Sequence, residues 1–179
     1  MSALYVVFVV GGAEYALPAS VVLQLEPFQG ATPVPGTPDY VAGIVQVRGH
    51  VIPVIDLSRL FGRGALTPTF DTRIVVTERG GRRVGLLVEK SREVLRVEPA
   101  SLQATPGVIE ENSRGFVEGL AQIGARTLML ISLSKVIGED ELNVESPKHL
   151  EPGSSGVLEL PGAVAAGVAR NDGVARPEH

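Results

Sequence analysis

The sequence predicts an all-β fold built as small barrels or a sandwich, and three observations carry that expectation. Short runs rich in Val, Ile and Leu recur along the chain, each closed by a Gly-containing or charged turn. Only one segment, near residue 132, shows a helical spacing of apolar residues, so strands do not alternate with helices as a βαβ fold requires. Aromatic residues make up 4% of the 179 residues and tryptophan is absent, so the core has to be mostly aliphatic.

The elements follow in order. Ala3 to Val10 is a β-branched and aromatic run, Gly11-Gly12 breaks it, and Tyr15 to Pro18 returns, which predicts a hairpin. Val21 to Phe28 is a third short apolar run. Gln29 to Asp39 holds three prolines and two glycines and reads as a loop. Tyr40 to Val47 and Val51 to Asp56 form a second hairpin around Arg48-Gly49-His50. Leu57 to Phe61 is expected to make one helical turn, capped by Asp56 and stopped by Gly62 and Gly64. Strands are then expected at Thr72 to Thr77, Arg83 to Glu89, Glu93 to Val97, Phe116 to Ile123 and Arg126 to Ile131, nine or ten in all. Ser132 is positioned to cap a short helix over Leu133 to Leu142, with Leu133, Val136 and Ile137 on one face. From Pro147 to His179 the composition changes to four prolines, five glycines and unpatterned Ala and Val, which predicts a flexible tail outside the core.

Composition excludes several kinds of chemistry. With no cysteine there is no disulfide, thiolate metal site or cysteine nucleophile. A net charge of -4, from 16 basic and 20 acidic residues, argues against a surface for nucleic acid or anionic lipid. Ala3 to Val10 is too short for a membrane span and lacks a signal peptide's basic start, so a cytoplasmic protein is expected. His50, His149 and His179 have no second ligand at metal spacing, and no Gly-x-Ser-x-Gly elbow serves a His50–Asp56 pair. No cofactor or metal is therefore expected. Glu110-Glu111 and Glu139-Asp140-Glu141 read as solvated or helix-end charge. Arg79, Arg82 and Arg83, without interleaved aromatics, are a weak nucleic-acid signal.

The most distinctive stretch is Gly43 to Leu57, GIVQVRGHVIPVIDL. A lone arginine stands at the tip of two apolar strands, beside a glycine suited to a tight turn. Pro53 lacks a donor, so its strand is expected at an edge or bulged there. Two roles are open for Arg48: a solvated turn residue, or a guanidinium held rigidly for a partner carboxylate.

At Arg48-Gly49 and Val51 to Leu57 the chain resembles the CheW family of bacterial chemotaxis coupling proteins. Tyr15 to Leu25, Gly85 to Glu89 with Val94-Leu95, Gly115 to Gly124 and Leu128 to Val136 continue the resemblance in order, over roughly Ala3 to Asn143. The resemblance implies two small Src-homology-3-like β-barrel lobes around a shared aliphatic core, with a short C-terminal helix. It implies a CheW-like domain over residues 1–146 and a tail over 147–179. It also implies a non-enzymatic adaptor that couples the cytoplasmic tip of methyl-accepting chemoreceptors to the regulatory domain of a CheA-type histidine kinase. A CheW-like binding module serving a pilus or other regulatory pathway is the alternative. Carried over by resemblance, the partner-binding residues are Val22, Gln24, Gly43, Arg48, Gly49, Gly85 and Val94. Val22 and Val94 would be apolar contacts, the glycines would allow close approach of a partner, and Arg48 would be the polar anchor. Gln24 stands where the family often carries an acid, so an ion pair between that position and Arg48 is not available, and a neutral hydrogen bond is the substitute.

Overall fold

A computed structural model describes residues 1–138. The expected continuation of the last helix to Leu142 and the tail from Pro147 lie outside the described residues. The strands are β1 (Ala3–Val10), β2 (Ala13–Pro18), β3 (Val22–Pro27), β4 (Val41–Val47), β5 (His50–Asp56), β6 (Arg73–Arg79), β7 (Arg82–Val88), β8 (Lys90–Val97), β9 (Leu102–Gln103), β10 (Val117–Ile123) and β11 (Arg126–Ile131). The helices are α1 (Leu57–Leu60), α2 (Gly107–Asn112) and α3 (Leu133–Ile137). Among the described residues the fold is all-β with a few short helices, as the strand spacing predicts.

The strands form two sheets. Sheet I has the order β8-β1-β2-β11-β10-β9, and sheet II has the order β3-β6-β7-β5-β4. Most pairs are antiparallel, four of them tight hairpins, but β11 lies parallel to β2 and β5 parallel to β7. Sheet I is thus assembled from both halves of the chain, and sheet II from the middle.

The period-2 alternation of strands explains the core. In sheet I, Val7, Ala16, Val97, Ala121, Leu128 and Leu130 form one cluster. In sheet II, Ile52, Val54, Leu66, Ile74, Val76 and Leu87 form another. The alternate residues point the other way, yet Phe8, Leu17, Ile55, Val75, Leu86 and Val88 are also fully buried. Those faces have to be covered by the opposite sheet, and this is the shared aliphatic core that the resemblance implies. Gly85 instead lies on the face of the sheet II cluster: a Cβ there would lie 2.6 Å from Ile74 Cγ2 and 3.4 Å from Val54 Cγ2.

Asp56 ties β5 to α1 and to the loop beyond it. Its side chain accepts from the backbone N–H of Ser58 at 2.9 Å and Arg59 at 3.3 Å, capping α1 as expected. The second oxygen accepts from the Leu66 N–H at 2.9 Å, which fixes the loop that places Leu66 in the sheet II cluster. On sheet I, the Arg126 guanidinium donates to Glu14 at 3.0 and 3.1 Å and pairs with Glu93 at 2.7 Å, joining β11, β2 and β8. These carboxylates hold the Arg126 proton more tightly than usual, the Glu14 hydrogen bond contributing most.

The structure corrects three expectations. Pro53 is neither at an edge nor in a bulge, because β5 lies between β7 and β4. Its missing donor is tolerated because Pro53 pairs with Ile44, whose own N–H and C=O turn away from β5 to Thr32. The ladder to β7 begins only at Val54, and the bulge is on the facing strand between Val41 and Gly43. Ser132 occupies the N-cap of α3, but its hydroxyl lies 3.1 Å from the Ser134 hydroxyl and makes no side-chain capping bond. α3 stops at Ile137 because Gly138 takes the left-handed conformation, φ 67°. Finally, β9 and α2 go beyond the expected elements: a two-residue strand cannot display alternation, and the Pro106 N-cap offers no side-chain signal.

Replacing Asp56 by alanine should cost about 2–4 kcal/mol of stability, since it removes a cap and leaves a buried N–H unsatisfied. Asp56→Asn, which keeps one acceptor, should lose roughly half as much. Urea unfolding midpoints would check both values, and equal midpoints for Asp56→Ala and the unaltered chain would refute the assignment. Gly85→Ala should lose about 1–3 kcal/mol by overpacking against Ile74, measured in the same way.

Candidate partner-binding site

The edge strands of sheet II are β3 and β4. The loop between them returns to β4 through a single bridge, Thr32 with Ile44, with both N–H···O distances 2.9 Å. Gly43 makes that bridge possible. Its φ is 141°, and a side chain there would overlap the Thr32 carbonyl. The close approach that Gly43 allows is therefore that of the protein's own loop. Gly85 is likewise closed over by Ile74 and Val54, and neither glycine presents a surface.

The β4–β5 hairpin turns on Arg48 and Gly49 alone, since Val47 pairs with His50. Arg48 has φ 48° and Gly49 φ 83°, the pair of positive angles that matches a two-residue turn to the twist of its strands. Positive φ costs an arginine free energy that a glycine or asparagine would not spend. The turn holds the Arg48 side chain away from the sheet, 77% exposed.

β3 reverses the usual amphipathic order. Gln24 and Glu26 are half-buried, while Leu23 and Leu25 are 48% and 42% exposed. Register explains this: Gln24 sits opposite Val76 and Glu26 opposite Ile74, on the face of the sheet II cluster, at its open end. The Gln24 amide donates to Glu26 Oε1 at 2.8 Å. The same oxygen lies 3.9 Å from Arg48 Nε. This corrects the expectation of a Gln24–Arg48 hydrogen bond: the acid that meets Arg48 is two residues further along β3. Alternation could have found Glu26, because residues i and i+2 of a strand share a face. At 3.9 Å the contact is an ion pair without a hydrogen bond, and exposed pairs of this kind contribute about 0–1 kcal/mol. Most of the guanidinium fork is left for another acceptor.

Between these two edges runs an open groove of about 870 Å³, with Glu26 and Pro27 on one wall, Ile44 to Val47 on the other and Ile74 at the bottom. Val51, 63% exposed, sits at its mouth beside the turn. Val22 lies further along β3, half-buried. Val94 is on the other sheet, in β8 opposite Val6, 54% exposed. It shares its face with Leu4, 47% exposed, and that face is the one turned away from the sheet I cluster. The predicted residues thus fall into two groups. Gln24 and Arg48 both contact Glu26, which lines the groove, and Gly49 shares the Arg48 turn, while Val94 stands apart with Leu4 at the outer rim of the shared core.

A nucleophile–base arrangement is not what these residues make. His50 and Asp56 stand at opposite ends of β5, about 20 Å apart along an extended strand. The Asp56 carboxylate is committed to three backbone N–H groups. Among the described residues no group of three or more His, Cys, Asp and Glu could hold a metal ion. Of the basic knot, Arg83 is paired with Glu78 at 2.9 Å.

A sequence profile described as "CheW-like domain" matches residues 4–141. The chain belongs to the CheW-like family. It is 33% identical over 136 residues to the "Chemotaxis protein CheW" of Rhizobium meliloti, covering 76% of this chain and 88% of that protein. It is 29% identical over 135 residues to the protein of the same name in Bacillus subtilis, covering 75% and 86%. The crystal structure of "scaffolding protein TtCheW from Thermoanaerobacter tengcongensis" superposes with a TM-score of 0.68 at 33% identity, covering 74% of this chain and 86% of that one. CheW-like membership and the paired β-sheets agree on one architecture.

Gly43→Ala should lower stability by about 2 kcal/mol or more, since both the backbone angle and the Thr32 overlap oppose a side chain. Arg48→Ala should change it by no more than about 0.5 kcal/mol, as expected for an exposed position. Denaturant unfolding of the two variants side by side checks the contrast. A large loss for Arg48→Ala would make the arginine a brace of its own hairpin.

Proposed function

We propose that this CheW-like chain is a non-enzymatic adaptor of chemosensory signalling, working in the cytoplasm and joining a CheA-type histidine kinase regulatory domain to the tip of a methyl-accepting chemoreceptor. Family membership and the relatives named for chemotaxis and scaffolding support the process. The observation that carries the binding role is Arg48: a guanidinium on a two-residue turn, 77% exposed and only loosely held by Glu26. A fork held by a rigid turn loses little freedom when it meets a partner carboxylate.

In this reading the groove between β3 and β4 receives one partner, with Arg48 as polar anchor and Val51, Val22 and Gln24 beside it. The apolar rim at Val94 and Leu4 receives the other. Gly43 and Gly85 act indirectly, by letting the hairpin and β7 take their positions. Among the described residues no helix is long and apolar enough to cross a membrane.

Arg48→Ala should weaken kinase or receptor binding about ten- to hundredfold, the worth of a charge-assisted hydrogen bond of roughly 1.5–3 kcal/mol. Arg48→Lys should be impaired as well, because a point charge cannot form a two-point fork. Calorimetric titration of each partner, alongside unfolding of the same preparation, makes the measurement. Unchanged affinity for both partners with unchanged stability would return Arg48 to a solvated turn.

A further inference from the structure

A second cavity lies away from the groove, between the end of α1 and α2, with a volume of about 330 Å³. That is the lower end of the range for small-molecule sites, roughly 300–1,000 Å³. Its apolar lining is unusual for so aromatic-poor a chain. Tyr15, Phe61 and Phe116 form a continuous series with ring centroids 5.1 and 5.9 Å apart, and Met129 adds a thioether. Such a wall takes a flat or branched apolar body.

Its charged groups are both cations, Arg63 and Arg114, and a buried hydroxyl adds a donor. Tyr15 is only 5% exposed, and its hydroxyl makes no hydrogen bond among the described residues. A buried tyrosine hydroxyl usually has a partner. Burial pushes the Tyr15 pKa above 10.0, with Arg63 opposing, so at neutral pH the phenol keeps its proton for donation. Arg63 spends one N–H on the Gly11 carbonyl at 3.2 Å. No carboxylate stands among the described lining residues to neutralise either arginine. Arg114 also has φ 54°, directly after the C-cap of α2, where glycine is the usual occupant. An arginine in a strained position at the mouth of a cavity is the pattern of a residue kept for contact with a ligand.

We propose that this cavity binds a small organic carboxylate with an aromatic or branched apolar body, the carboxylate held by Arg63, Arg114 and the Tyr15 hydroxyl. The site is independent of the Arg48 groove, so its success or failure leaves the adaptor reading untouched.

The test is a titration of the ¹⁵N-labelled full chain with 3-phenylpropionate and, separately, with its neutral amide, followed by backbone amide shifts. Saturable shifts are expected at Gly62, Ser113 and Phe116, with the amide about tenfold weaker or more. Tyr15→Phe should weaken the acid severalfold and leave the amide nearly unchanged. Arg114→Gly should lose acid binding while its unfolding midpoint stays level or rises, because the strain is relieved. That opposite movement of binding and stability is one a purely structural arginine would not produce. Equal binding of acid and amide, shifts confined to other surfaces, or no shifts at millimolar probe would overturn the proposal.

Discussion

β1, β6 and β7 are dry on both faces, and the rest of the fold depends on that constraint. A strand buried on two sides has to be apolar at nearly every position, as Val6 to Val10 and Val84 to Val88 are. One face of each strand fills its own sheet's cluster and the other fills the space between sheets. Each cluster is small and aliphatic, of a size that holds a domain only weakly alone. The shared face makes them one unit. It also dictates where polarity can go: hydrogen-bonding side chains collect at the open ends and edges, where Glu26, Gln24 and Arg48 are found.

Much of this was legible in the sequence. Hairpins show because their turns demand particular residues: Gly11-Gly12, Arg48-Gly49 and Gly124-Ala125 each separate two β-rich runs. The Asp56 cap shows because an acid before a helical turn has one favourable use there. Strand order was another matter. The two parallel pairings, β2 with β11 and β5 with β7, join segments far apart in the chain, and no local pattern encodes them. Pro53 was misplaced for that reason: its setting depends on Thr32 turning Ile44 away, which is a tertiary event. At the site, Arg48 and Gly49 were legible from turn chemistry. Glu26 was obscured because β3 carries its leucines outward, against the usual order. The second cavity was not legible at all, since Tyr15, Phe61 and Phe116 come together only when α1 and β10 are brought against β2.

Two glycines with crowded surroundings, Gly43 and Gly85, show how a surface site can depend on residues no partner touches. Gly43 admits Thr32, which pins the loop and so shapes one wall of the groove. Gly85 leaves room for Ile74 to pack in the sheet II cluster, and Ile74 is also the floor of that groove. A substitution at either would reach the Arg48 hairpin through backbone position, with no change in surface chemistry. Loss of partner binding is therefore weak evidence that a glycine of this fold lies at an interface.

Sheet I joins β1 and β2 to β8 through β11, while sheet II is made entirely from residues in between. This ordering bears on how the chain is made. As it leaves the ribosome, the opening hairpin has no strand to pair with until β8 emerges, and its β2 edge waits longer still, for β11. The strands of sheet II are all available earlier. The middle of the chain can thus collapse first, on contacts of moderate sequence separation, and closure of sheet I comes last and slowly because β1 and β2 pair with strands far along the chain. The very apolar first strand must wait during that interval, which makes Ala3 to Val10 the segment whose premature association a cell producing this protein most needs to prevent.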